Sequence, residues 1–385
     1  MEETRNSPYS NGEDRISRLP NGLIHHIFSS IDTKYAVQTS VLSKRWIHIW
    51  KSLPFLNFDR RSFSEDEEHD EKFVYFVDMV FILRDFNYDI HRFDLTWFNI
   101  RYVEIMKKHV GRWMVHAVRH NVQEITILNC KDHSAYEIPH QILNCNSLRE
   151  LTMQVYGRAE FADFSLPSSI SLPQLKVLQL AGLSISNVES SKWLFSSCPV
   201  LEMLVISECD IQTDNPRNLI VDSLSLKKFG YTHRNLYILP QNDTAANIIN
   251  LSAPNLEEFT FRSLLAYDCS LENSSPLSKV EFDMTLKVIE EDENAEAYLK
   301  LPSEEKEVYA KRMMKFLGAV YMAKQLSLSP GFLEVLSEAP DLLDSQQPRL
   351  CNLKLVNFEM WSTRGRLRAI AYLLKISPNI NAIYL

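Results

Sequence analysis

Three histidines, His109, His116 and His120, stand seven and four residues apart, a spacing that on a helix lines them along one face. Two histidines four apart bind zinc when further ligands and an acid complete the shell. Here the same stretch carries Lys108, Arg112 and Arg119, whose charge repels a cation, so the stripe reads as structural or exposed. His25 and His26 are adjacent, and adjacent helical side chains point apart. Six cysteines, Cys130, Cys145, Cys198, Cys209, Cys269 and Cys351, form no CxxC pair and read as buried free thiols. No GxSxG or HExxH occurs, and the nine glycines hold no phosphate-cradling GxGxxG or GxxxxGK pattern. Asn242, Asn250 and Asn273 begin N-x-S/T triplets, which matter only on a secreted chain. The expectation is a chain with no catalytic, cofactor or metal site, one that works by binding.

The elements that must carry such binding surfaces are set by bulk properties. A chain of 385 residues exceeds one ordinary domain, so two or more domains or an elongated repeat array are expected. Apolar residues make up 45%, enough for an extensive core. The net charge of -8, from 49 acidic and 41 basic side chains, gives no electrostatic reason to bind nucleic acid or anionic membranes. Residues 1–12 are polar and expected to be disordered, with no secretory signal. The longest apolar stretch, "FVYFVDMVFIL" (73–83), is eleven residues and contains Asp78, whereas a membrane span needs roughly 20. An intracellular chain, nuclear or cytoplasmic, is expected.

After residue 59 one pattern recurs: apolar, two of anything, apolar, one of anything, apolar. It starts at residues 90, 122, 148, 175, 201, 226, 256, 277, 323, 350 and 380. Pro173, Pro199, Pro254, Pro348 and Pro378 stand two residues before five of these starts. Proline cannot continue a helix and favours extended geometry before it, so it ends one repeat's helix and feeds the next repeat's strand. A period in the twenties with this strand pattern is that of a leucine-rich-repeat solenoid. Leu178, Leu180, Leu204 and Ile206 are then core residues. Alternate strand residues point onto the concave face, which yields Arg92, Glu124, Glu150, Lys176, Gln179, Met203, Lys228, Glu258, Arg262, Lys279 and Lys354 as candidate target-binding residues. Their mixed signs suit a protein partner. Residues 286–322 read as an acidic insertion followed by a helix that Ser303 can cap.

Residues 14–53 read as three short helices. Leu23, Ile24, Ile27, Phe28 and Ile31 recur at three and four; Asp32 or Thr33 can cap the second helix, and Ser43 the third, with Trp46, Ile49, Trp50 and Leu53 apolar. So short a segment carries more large apolar side chains than it can hide, and the surplus must meet the rest of the chain or another protein.

The stretch "DRISRLPNGLIHHIFSSIDTKYAVQTSVLSKRWIHIWKSLPFLNFD" (14–59) resembles the F-box of plant F-box/leucine-rich-repeat proteins. The features that carry the likeness are DRIS-x-LP, TK-x-AV-x-TSVLSKRW and W-x-SL-P-x-L-x-FD. The final segment, "LRAIAYLLKISPNINAIYL", resembles the FBD-like closing repeats of the same family. The chain departs from that family at Asn21, at Ser30, Ile31 and Asp32, and at Tyr35. The resemblance implies docking on the linker subunit of a cullin-based ubiquitin ligase, with contacts at Leu19, Pro20, Leu23, Ile27, Val37, Leu42 and Trp46.

The resulting expectation is an α/β chain: a small all-α three-helix F-box followed by a right-handed leucine-rich-repeat solenoid with a parallel concave sheet. Its divisions are 13–58 for the F-box, 59–75 for an acidic linker and 76–385 for the solenoid, with closing repeats at 323–385 and a frayed or incomplete end. Such a chain is a non-catalytic adaptor that holds an unknown target protein for an SCF-type ligase. The alternative is a protein-binding scaffold outside any ligase, its degenerate F-box acting as an N-terminal cap.

Overall fold

The computed structural model describes residues 18–63, 68–98, 103–130, 136–137, 139–156, 161–167, 169–213, 218–234, 248–264, 267–272, 276–285, 301–345, 348–359 and 366–384. The expected disordered residues 1–12, and 286–300 of the expected insertion, lie outside them.

The N-terminal module is helical. Helix α1 (Asn21–Phe28) starts behind Pro20, whose carbonyl accepts the Leu23 and Ile24 amides. Helix α2 (Thr33–Gln38) is capped by Asp32, which accepts from the Lys34 amide at 2.7 Å, and it runs into a 3₁₀ turn at Thr39–Val41. Helix α3 (Lys44–Lys51) has Ser43 at its cap position, but the serine side chain makes no capping bond.

A sheet of twelve parallel strands follows. Its members are β1 (Phe55–Asp59), β2 (Arg92–Phe98), β3 (Glu124–Cys130), β5 (Glu150–Tyr156), β7 (Val177–Ala181), β9 (Met203–Ser207), β12 (Lys228–His233), β14 (Glu258–Leu264), β16 (Lys279–Thr285), β17 (Gln325–Leu328), β18 (Leu355–Phe358) and β19 (Ala382–Tyr384). Strands β2 to β19 of this sheet coincide with the eleven pattern sites, except that β18 lies three residues beyond the site placed at 350. Their pattern residues form continuous buried rows, such as Leu151, Leu178, Leu204, Phe229 and Phe259 in register. Aromatic rings stack along a parallel row: Tyr231 on Phe261 at 5.4 Å and Phe261 on Phe282 at 5.4 Å.

The layer behind the sheet is mixed. Helices α4 (Glu68–Leu83), α5 (Val103–Arg119), α6 (Val188–Ser196), α7 (Ser303–Ala319), α8 (Pro330–Ser337), α9 (Pro340–Ser345) and α10 (Leu367–Ile376) fill some crossovers. Others carry short strands: β4 (Tyr136–Glu137), β6 (Ala162–Ser165), β8 (Leu183–Ile185) and β10 (Asp210–Ile211) form one parallel sheet. Strands β11 (Asn218–Asp222), β13 (Ile248–Ser252) and β15 (Asp268–Glu272) form another. The sequence showed a helical face between strands only in places. The alternating burial of "IINLS" and "DCSLE" explains the strands, because period-two patterning suits a pleated surface and not a helix. The turn from β7 to β8 needs Gly182, at φ +71, where a Cβ would collide with the Val155 carbonyl oxygen.

Four expectations are corrected. The sheet begins at β1, inside the expected F-box range, and Leu53, Leu56 and Phe58 carry the same apolar pattern one repeat early. The linker expected over 59–75 includes the end of β1 and the start of α4, whose Phe73 and Val77 are fully buried; packing against the sheet orders a segment that charge alone marks as solvated. The repeat placed at residue 350 is slipped by three. The residues matching Leu326 and Leu328 of β17 are Val356 and Phe358, so the motif starts at Leu353, and Pro348 does not hold the place of the other four prolines. Finally, Pro302 rather than Ser303 holds the cap position of α7.

Candidate partner-docking surfaces

The first surface lies on the helical module. Its core is closed by Ile24, Phe28, Ala36, Trp46, Ile49, Trp50 and Leu53, all buried, with Trp46 tilted against Phe28 at 5.9 Å between ring centroids. Trp46, expected among the docking residues, therefore faces inward at 5% exposure. Three-four spacing marks an apolar face without saying which neighbour covers it. Leu19 and Val37 are half-buried against the same core. Pro20, Leu23, Ile27 and Leu42 do face solvent, with Leu23 52%, Ile27 51% and Leu42 66% exposed. Val41 joins them at 86%; it sits in the quoted TSVLSKRW block, but its spacing gave no reason to single it out. Arg45 of α3 bonds to the Leu19 carbonyl and to Asn21 Oδ1 at 2.9 Å, which draws the start of α3, just after Leu42, against the start of α1. Asn21, one of the departures from the family pattern, thus has a partner inside the module.

The module is bolted to the sheet. Asp32 Oδ2 accepts from the Asp59 amide at 3.0 Å, Thr33 Oγ1 from the Asn57 amide at 2.9 Å, and Lys34 Nζ donates to the Ser62 carbonyl at 2.5 Å. Burial pushes the Asp32 carboxyl upward, opposed by the two amides that donate to it. Arg92 donates to the Ser29 carbonyl, and the Asp85 amide to the Lys51 carbonyl at 2.9 Å. Asp32, another departure, is thereby both helix cap and sheet anchor.

The second surface is the open face of the sheet. Arg92, Glu124, Glu150, Met203, Lys228, Glu258 and Lys279 stand in one cross-strand row, with Gln179 and Arg262 in the next two rows of the same face. Lys176 and Lys354 do not belong to it. Each precedes its strand: the Lys176 and Val177 amides both bond to the Arg149 carbonyl, and those of Lys354 and Leu355 to Lys324, so the alternating face starts one residue later. Lys176 instead joins an edge network in which Glu202 bridges Lys176 and Lys227, each at 2.8 Å, and these two lysines hold the Glu202 carboxyl down at about 2. Toward the C-terminal strands the open face dips into a recess of 440 Å³ lined by Arg262, Lys279, Glu281, Gln325, Asn357 and Tyr384 among others.

The histidine stripe is absorbed by packing. His109 Nδ1 lies 3.2 Å from Asp78, which also accepts from Arg112 at 3.0 Å and from Trp113 Nε1 at 2.6 Å. His116 stacks on Phe81 and His120 on Phe86, and burial lowers both ring pKa values. Cys145, Cys198, Cys209 and Cys269 are buried free thiols, whereas Cys351 is exposed. Burial pushes the Cys198 and Cys209 thiols up to about 12.

Two parts of the chain match known sequence families. The F-box family model matches residues 16–58, and the model described as "FBD-associated F-box protein At5g56370, LRR repeats" matches residues 110–278. The chain belongs to the plant F-box/leucine-rich-repeat family. Likeness to Arabidopsis thaliana proteins over nearly the whole of this chain agrees. The FBD-associated F-box protein At1g66310 is 27% identical over 96% of this chain and 76% of its own length. The putative F-box/FBD/LRR-repeat protein At5g22610 is 29% identical over 97% and 71%, and the F-box/LRR-repeat protein At1g06630 is 28% identical over 96% and 84%. The architecture of this F-box/leucine-rich-repeat chain is of the substrate-recognition adaptor type, and F-box modules generally bind a linker subunit. No helix among the described residues is long and apolar enough to cross a membrane.

Proposed function

We propose that this chain is the substrate-recognition subunit of an SCF-type ubiquitin ligase, with the F-box on the linker subunit bound to a cullin and the open sheet face on a target protein. The observation that carries the reading is the apolar surface left bare on an otherwise closed module: Leu23, Ile27, Val41 and Leu42 are each more than half exposed while the tryptophans behind them are buried. Exposed apolar area of this kind marks an interface. The anchoring of the F-box to β1 also shapes the reading. The two surfaces belong to one continuous body, so a captured target is held at a defined position relative to the ligase and not on a loose tether. Ubiquitin transfer itself belongs to other subunits.

A second reading has its own observation. The F-box helices cover the outer edge of β1, which is what a solenoid cap must do. Capping rests on Asp32 and Thr33 and docking on the exposed Val41 and Leu42, so one variant separates them. A Val41→Glu/Leu42→Glu variant is titrated against the linker subunit beside the unaltered chain. Tight binding that is lost in a variant melting at the same temperature supports the adaptor. Absence of binding by the well-folded unaltered chain leaves the F-box as a cap and nothing more.

A further inference from the structure

The open face of the sheet is chemically uneven. On and beside β12, β14 and β16 its charges are matched but for Lys279: Lys228 pairs with Glu258 at 2.8 Å, Arg262 donates to Glu281 at 2.6 Å, and Arg234 meets Asp283. On β2, Arg92 is engaged by Asp94 at 2.9 Å. The matching stops at β3 and β5. Glu124 and Glu150 are direct cross-strand partners on the same face. Among the described residues neither forms an ion pair. Like charges placed opposite each other weaken a sheet, and Glu150 bears the mark of it, its carboxyl pushed upward by burial and then by Glu124. The next two strands continue the same rows with Val177, Met203 and Val205, all half-buried and none charged.

We propose that the open face from β3 to β9 is the target-docking surface, and that the target segment places a lysine or arginine between Glu124 and Glu150 and an apolar side chain on Val177, Met203 and Val205. The inference rests on the adaptor reading and names the partner's chemistry. Charge complementarity selects the occupant. A cation set between the two carboxylates turns a repulsion built into the free fold into two attractions. A second copy of the chain offering the same face would bring four carboxylates together, and a nucleic acid would add phosphates to them.

The experiment uses the full chain bound to its linker subunit and short synthetic peptides that differ at a central pair: Lys-Leu, Arg-Phe, Gln-Leu and Glu-Leu. The unaltered complex is expected to prefer Lys-Leu and Arg-Phe over Gln-Leu by about tenfold, the equivalent of about 1.4 kcal/mol, with Glu-Leu weakest. The preference should fade as salt rises. Glu124→Gln/Glu150→Gln should abolish it while keeping linker affinity and melting no lower than the unaltered chain, since a repulsion has been removed. Equal binding of all four peptides, or a preference that survives the double substitution, overturns the proposal. So does a lower melting temperature in the variant, which would make the pair a structural feature. Loss of linker binding by the unaltered chain is a different failure: it removes the adaptor reading, whatever the peptides do.

Discussion

Trp46 and Leu42 stand four residues apart and make opposite predictions. Trp46 is 5% exposed, closed in by Phe28, so Trp46→Ala should leave a cavity and destabilise the F-box by about 3–5 kcal/mol. Leu42 is 66% exposed. Truncating it in the free chain should change stability by no more than about 0.5 kcal/mol. Its contribution appears on docking. Fully burying a leucine is worth about 1.5–3 kcal/mol, and two-thirds of that area remains to be covered, so Leu42→Ala should weaken linker binding by about 1–2 kcal/mol. That corresponds to a factor of about 5–30. Denaturant unfolding followed by tryptophan fluorescence reads the first quantity, and titration against the linker subunit reads the second. A Trp46→Ala chain with an unchanged unfolding curve and abolished linker binding would refute the reasoning, because Trp46 would then be a gripping residue.

Three further outcomes are expected. Leu178→Ala, at a fully buried position between Leu151 and Leu204, should cost about 2–5 kcal/mol; a loss under about 0.5 kcal/mol in chemical denaturation would contradict the strand register. Gly182→Ala should cost at least about 1–3 kcal/mol from its left-handed backbone alone, and an unchanged melting temperature would show that the turn relaxes freely. Burial lowers the pKa of His25, His116, His120 and His233 in the fold, so each favours the neutral ring. Their contribution to stability is present above the unfolded value near 6.5 and is lost as pH falls through the folded values. The melting temperature should therefore drop between about pH 7 and pH 5, and His233→Gln should flatten part of that drop.

Ten of the eleven solenoid strands beyond β1 were legible because each announces itself locally. Three apolar residues at fixed spacing require only that one side of a short strand be covered, and this holds whatever the neighbouring repeat contains. The F-box was legible for another reason, the density of its matching block from Thr33 to Trp46. The same local reading failed where the answer lay in what packs on top. Leu53, Leu56 and Phe58 carried the strand pattern, yet a helical context concealed it. Residues 350–355 offered two apolar frames, and only pairing with β17 chose between them. Lys176 was misplaced although the pattern itself, which sets Glu124, Glu150 and Met203 two residues after their starts, sets Val177 there.

What the sequence determined by itself is the composition of the two modules: an apolar three-helix segment too small to hide its side chains, and a repeat whose alternation builds one covered face and one open face. These follow from period and volume, which are properties of neighbouring residues. The tertiary structure alone decided that Trp46 turns inward while Val41 and Leu42 turn outward, since both orientations satisfy helical spacing and only the position of Phe28 and Ile24 tells them apart. It also made direct cross-strand partners of Glu124 and Glu150, which the repeat starts at 122 and 148 had only given equivalent places, because pairing is made by backbone hydrogen bonds between segments that do not influence each other until the sheet forms.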